Sequence, residues 1–235
     1  MKDEALQQVA KTITEWDYLK ELPETIYNFH LQRIQQMHED VYDLYSYVNN
    51  AAHRSVTAYY HAETDEYKLR IQIGSFEFCL TECITSSIDH FEQLLRERLN
   101  EIICDLTEFN PANLDIMFES KHIIDWQFAA TLPERLEGFE LFIRPSKPFR
   151  ITNGSYIILD YEHFSSQSNF AIYYNVFRDE FFSDARVAAV PDTDYEFDSH
   201  TLEELQERIS ASLATRLKAI RTRAEKEIHS HDCCQ

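Results

Sequence analysis

An α+β fold, in which N-terminal helices precede two antiparallel sheet-plus-helix units, is predicted by three features of the sequence. Short runs of β-branched and aromatic residues, separated by polar turns, occur in two groups. Each group leads into a longer stretch whose apolar residues recur three and four apart, the spacing of one helix face. The residues ahead of the first group already carry that helical spacing. With 235 residues, 44% of them hydrophobic, and with sixteen Phe and thirteen Tyr, the chain can bury a sizeable core and does not have the composition of a disordered acidic protein.

Residues 1–52 are expected to form a helical segment. An amphipathic stretch runs from about Glu4 to Leu22, and Pro23 breaks it where proline can open the next helix. Ile34, Met37, Val41, Leu44 and Val48 then repeat in alternating steps of three and four, which predicts a helix to about Asn49 with a coiled-coil-like seam. That seam is expected to be buried under the sheet or against a second copy, as a homodimer.

Residues 53–110 read as the first sheet-plus-helix unit. Ser55 to Ala62, Tyr67 to Ile73 and Phe76 to Leu80 predict a three-stranded meander, with turns at Glu63-Thr64-Asp65-Glu66 and Gly74-Ser75. A helix from Ser86 or Ser87 buries Ile88, Phe91, Leu95, Leu99, Ile102 and Leu106, and Asn110-Pro111 ends it.

Residues 111–228 repeat that order. Strands are predicted at Phe139 to Ile143, Tyr156 to Tyr161, Phe170 to Val176 and Ala185 to Val190. A helix follows from Thr201, with Glu204 completing a capping box and a buried stripe at Leu202, Leu205, Ile209, Leu213, Leu217 and Ile220. Residues 229–235 are expected to be a flexible tail. His90 to Leu99 (HFEQLLRERL) and His200 to Ile209 (HTLEELQERI) share Leu, Glu and Arg in register, which either marks an internal duplication or is a coincidence of two amphipathic helices.

Charge bounds the partners. Forty-one Asp and Glu against twenty-two Lys and Arg leave a net charge of −19, which argues against direct nucleic-acid binding and against anionic membranes. No apolar run is long enough for a membrane span. The start Met1-Lys2-Asp3-Glu4 is unlike a signal peptide, so a cytoplasmic protein is expected. Five cysteines without framework spacing read as reduced thiols. Gly74, Gly138 and Gly154 are too few and too scattered for a phosphate-cradling loop.

The sharpest local pattern is Asp192-Thr193-Asp194-Tyr195-Glu196-Phe197-Asp198. In an extended strand its four carboxylates would share one face, with Tyr195 and Phe197 turned to the core. Such a ladder of Asp192, Asp194, Glu196 and Asp198 could dock a row of Lys or Arg on a basic partner, or it could be a charge-protected sheet edge. The same stretch, extended to His200 and Glu203, fits the spacing of a calcium loop, but Phe197 stands where that loop needs glycine. The C-terminal His229-Ser230-His231-Asp232-Cys233-Cys234 offers soft ligands without the spacing of a structural zinc site.

Catalytic signals are weak. Glu66-Tyr67-Lys68 and Glu119-Ser120-Lys121 each offer the carboxylate and lysine of a metal-dependent nuclease without a matching upstream Asp, and only Arg144, Lys147 and Arg150 cluster as a basic group. Neither GxSxG nor HExxH occurs. No cofactor and no metal is expected. The passage from Ala188-Ala189-Val190-Pro191-Asp192 through Ser199-His200-Thr201-Leu202-Glu203-Glu204-Leu205 resembles the strand-to-helix passage of HicB-like antitoxins, without its usual glycines. The resemblance implies a small sheet-plus-helix module that binds and inhibits a partner protein.

Together these features point to an acidic, non-catalytic, protein-binding factor of the inhibitor, antitoxin or immunity type that engages a basic surface. The alternatives are a metal-dependent hydrolase or nuclease assembled from scattered Asp, Glu and His, and a self-assembling structural protein that uses the seam.

Overall fold

The computed structural model of the chain describes residues 2–151 and 154–232, which divide into two compact units, one up to Phe109 and one from Asn110. The fold is mixed α+β, with one antiparallel sheet in each unit.

The first unit opens with helices α1 (Lys2–Glu15) and α2 (Tyr18–Glu21). Six strands follow as a meander: β1 (Thr25–Ile26), β2 (Phe29–His38), β3 (Val41–Asn49), β4 (Arg54–His61), β5 (Glu66–Ile73) and β6 (Phe76–Cys79), each antiparallel to the next. Helix α3 (Ile88–Thr107) closes the unit. Its start is fixed by Ser87, whose Oγ accepts from the His90 amide at 3.3 Å. Phe91, Leu95, Leu99, Ile102 and Leu106 are buried along it, and Ile88 is half-buried.

The helix expected to reach Asn49 is instead the hairpin β2–β3, paired from His30↔Val48 to His38↔Val41. The steps of three and four run across a turn at Glu39-Asp40, so they never lie on one helix. Tyr42, Tyr45 and Tyr47, which favour a pleated surface, fill the core from β3. Of the expected seam only Leu44 is fully buried; Ile34, Val41 and Val48 are half-buried and Met37 is 43% exposed. A homodimer through a helix around Ile34, Met37, Val41, Leu44 and Val48 therefore has no helix to use. Nor is residue 52 a boundary, because β3 and β4 pair across it from Val41↔His61 to Asn49↔Arg54 and make one sheet of both sides.

The second unit begins with the short helix α4 (Ile116–Ser120), and its strands are β7 (Arg135–Leu136), β8 (Phe139–Ile143), β9 (Phe149–Arg150), β10 (Ser155–His163), β11 (Ser168–Asn175), β12 (Glu180–Val187) and β13 (Val190–Pro191). The sheet runs β13-β12-β11-β10-β8-β7, with β9 also paired to β10. The strand expected from Ala185 thus starts at Glu180 and reverses at Ala188 and Ala189, both at positive φ (48° and 68°), as a two-residue hairpin requires. Helix α5 (Leu202–Asp232) lays Leu205, Ile209, Leu213, Leu217, Ile220 and Ala224 on a core of Tyr156, Tyr161, Phe170, Tyr174 and Phe181. It runs through His229 to Asp232, where a flexible tail was expected; the side chains of those residues, and all of Cys233 and Cys234, lie outside the described residues.

Much of the second unit repeats the order of the first, although α1, α4 and β9 have no counterpart. β4 and β11, β5 and β12, and α3 and α5 each start 114 residues apart, as do the 3₁₀ turns Asn50–Ala52 and Phe164–Ser166. The lone bridges Tyr67↔Thr85 and Phe181↔Ser199 keep that spacing. So do the hydroxyl bonds from Tyr60 to Asp65 (2.6 Å) and from Tyr174 to Asp179 (2.7 Å). The helices are accordingly in register at 114 residues, not 110, and Phe91, Leu95 and Leu99 correspond to Leu205, Ile209 and Leu213. A spacing of 110 holds only earlier, between Leu22-Pro23-Glu24 and Leu132-Pro133-Glu134. The four extra residues fall between β8 and β10, where the turn Arg144↔Lys147 and strand β9 lie.

Candidate functional site

The acidic stretch after β13 is a loop braced by α5. The Asp192 amide donates to the Ala185 carbonyl at 2.8 Å, and the Asp194 carbonyl accepts from Ser183 Oγ of β12 at 3.5 Å. The four carboxylates do not form a strand ladder. Asp192 Oδ2 accepts from Arg216 Nη2 at 3.0 Å and from Arg223 Nη1 at 2.7 Å. Arg216 Nε lies 2.9 Å from Asp194 Oδ2, an ion pair whose atoms are not aligned as a hydrogen bond. Asp194 Oδ1 in turn accepts from the Glu196 amide at 2.6 Å, a side-chain-to-backbone turn, and Arg208 Nη1 donates to the Glu196 carbonyl at 2.7 Å.

The expected site residues therefore divide. Asp192 and Asp194 are half-buried and bound to arginines, Glu196 is exposed, and Asp198 is half-buried, its carboxyl hydrogen-bonded to the Ser183 backbone while Oδ1 lacks a partner among the described residues. Burial opposes ionisation of Asp192, but Arg223 and Arg216 outweigh it and hold the carboxyl below its ordinary range. Asp198 is raised instead, first by burial and then by the charge of Glu180. Phe197 is buried against Phe170, with ring centroids 4.8 Å apart, whereas Tyr195, expected in the core, is 75% exposed. Val190 beside the loop is 58% exposed. Arg208, Arg216 and Arg223 are steps of eight and seven apart, which at 3.6 residues per turn keeps all three within an arc of about 80° on one face of α5. That spacing was the signal in the sequence for the clamp.

A second polar group lies within the sheet. Asp160 and Glu162 of β10 are fully buried, and Asn169 Nδ2 of β11 donates to Asp160 Oδ1 at 3.0 Å. Burial, and then the neighbouring charge of Glu162, push the Asp160 carboxyl well above its ordinary range. Two acids inside an otherwise apolar run from Tyr156 were the sequence signal here.

Elsewhere, Lys68 pairs with Glu66 at 2.9 Å and Lys121 with Asp179 at 2.5 Å, so each nuclease-like lysine is bound to a carboxylate. Among the described residues no group of three or more His, Cys, Asp and Glu converges as a metal-ligand set, and no helix is long and apolar enough to cross a membrane. Cys79, Cys83 and Cys104 are free thiols; Tyr59 and Cys79 are hydrogen-bonded at 2.8 Å. No protein-family model, curated protein or solved structure matches the chain.

Proposed function

We propose that the protein is an acidic, non-catalytic binding factor of the cytoplasm, an inhibitor, antitoxin or immunity-type protein that engages a basic partner surface. The observation that carries this reading is the clamped loop: Arg216 and Arg223 hold Asp192 and Asp194 while Tyr195, flanked by Asp194 and Glu196, stands 75% exposed. A loop already ordered before contact loses less entropy on binding, and tyrosine, with tryptophan and arginine, is enriched among the residues that anchor interfaces. The exposed Glu196 and the net charge of −19 favour Lys or Arg on the other side. Asp192 and Asp194 act in this reading as the frame of the loop, with Tyr195 and Glu196 as its contact. The strands, turns and hydrogen bonds that recur at one spacing in the two units support reading them as copies of one module.

The test is capture from the source cell by the full chain and by the double variant Tyr195→Ala, Glu196→Gln. Both residues are exposed, so the variant should melt like wild type. A basic protein that is held by wild type, released as salt rises and lost from the variant is the expected result. Recovery of the same proteins by both would reject the loop as the binding surface.

A further inference from the structure

Asp160 and Glu162 stand two residues apart on β10, and the alternation of a strand places both carboxyls on one face. The opposite face, with Tyr156 and Tyr161, belongs to the core under α5. Both acids are fully excluded from water; Asp160 Oδ1 accepts from the neutral amide of Asn169, a side-chain hydrogen bond shared with Glu162 favours the protonated form, and among the described residues Asp160 Oδ2 has no donor. An ionised Asp160 so placed has a neutral amide donor and, among the described residues, no paired cation in place of its lost hydration, and a second negative charge beside it would add to the cost.

The fold does not impose these acids. At the positions 114 residues earlier, β3 carries Ser46 and Val48, and Ser46 Oγ is hydrogen-bonded to Thr57 Oγ1 at 2.9 Å. The first unit builds the same strand, the same following 3₁₀ turn and the same hairpin partner without a carboxyl at either site. We infer that Asp160 and Glu162 form a proton-binding site in the second unit, one carboxyl of the pair keeping its proton at neutral pH and giving it up only when the unit opens.

The groups that face the pair follow from the register. Glu140 of β8 lies opposite Glu162; Asn169 and then Arg186 of β12 continue that row on the other side. Ala171 and then Asp184 continue the row of Asp160. Tyr173 of β11 is near enough that burial first, and then the charges of Asp184 and Asp160, raise its hydroxyl. Asp184 thus opposes a second negative charge, Glu140 opposes it less because Arg135 Nη2 lies 2.5 Å from its Oε1, and Arg186 favours it. The proton belongs to the pair, and the site that releases it is set by both acids.

The sign is fixed by linkage. In the unfolded chain the aspartate ionises near pH 3.9, while in the folded unit it stays protonated to higher pH. Stability from this site is complete below pH 3.9 and declines as pH rises through the folded value. Urea unfolding followed by Trp126 fluorescence, in a Trp16→Phe background, reports the second unit. Between about pH 5 and pH 8 the unfolding constant should rise by up to tenfold per pH unit. Asp160→Asn, which cannot ionise, should abolish that rise, so it is more stable than the parent at pH 8 and equal to it near pH 4. If Asp160→Asn does not fold, Asp160→Ser, the residue of the matching position in the first unit, and Glu162→Gln replace it, each with a flattened profile expected. Profiles of parent and variants that stay parallel across this range would overturn the site.

Discussion

The Tyr161 hydroxyl donates to the carbonyl oxygen of Pro133 at 2.7 Å, and Tyr47 makes the same bond to Pro23 at the same distance. In each unit the bond ties a central strand to the Leu-Pro-Glu segment that leads into the first two strands. Both tyrosines are buried while Pro23 and Pro133 are exposed, so it is the hydroxyl rather than the carbonyl that has little water to fall back on. Removing the hydroxyl alone should therefore cost about 1 kcal/mol in each unit, near the usual net value of one hydrogen bond. Tyr161→Phe and Tyr47→Phe in urea unfolding check this; a loss in one unit and none in the other would mean that the two bonds are not equivalent.

The sequence made the helix faces and the aromatic strands legible, because burial imposes a period there. Phe91 to Leu106 and Leu205 to Ile220 keep their apolar residues on one side, and the runs around Tyr67 to Ile73 and Tyr156 to Tyr161 are strands as their composition implies. The misreadings have a common cause: a local pattern stood in for a tertiary partner. Ile34 to Val48 gave helical steps by accident across a hairpin, while the nearby tyrosines already carried the β signal. Asp192 to Asp198 alternates like a strand, but the three arginines on α5 decide its shape. No local rule relates Asp192 to Arg223 thirty-one residues later.

Arg216 should be the residue on which the loop depends, since it reaches both Asp192 and Asp194 and is itself only 14% exposed. Arg216→Ala removes one partner from each of two half-buried carboxylates, leaving Asp192 to Arg223 and Asp194 to the Glu196 amide, and should cost about 1.5–3 kcal/mol, the range for hydrogen bonds to charged groups. Hydrogen exchange over residues 191–198 should quicken, while β10 and β11 keep their protection. Acid should produce the same release in wild type. Asp192 is depressed in the folded state, so its contribution is present above about pH 3.9 and is lost as pH falls through the folded value. This is the opposite direction to Asp160. Exchange in the loop that is unchanged by the substitution would show that the arginine clamp does not order it.

Met37 and Leu44 distinguish the hairpin from the helix that the sequence pattern suggests. On a helix the two would share a buried seam, and a charge at either would be costly. On the hairpin Met37 sits on the outer strand at 43% exposure, whereas Leu44 is fully buried on β3. Leu44→Ala should then cost about 2–5 kcal/mol, as core truncations do, and it should lower the melting temperature markedly. Met37→Asp should stay within about 0.5 kcal/mol of wild type, as exposed substitutions do, and should leave the mass in solution unchanged. Comparable losses at both positions would return Met37 to a buried seam, and a change in mass with Met37→Asp would place a second copy of the chain against this strand.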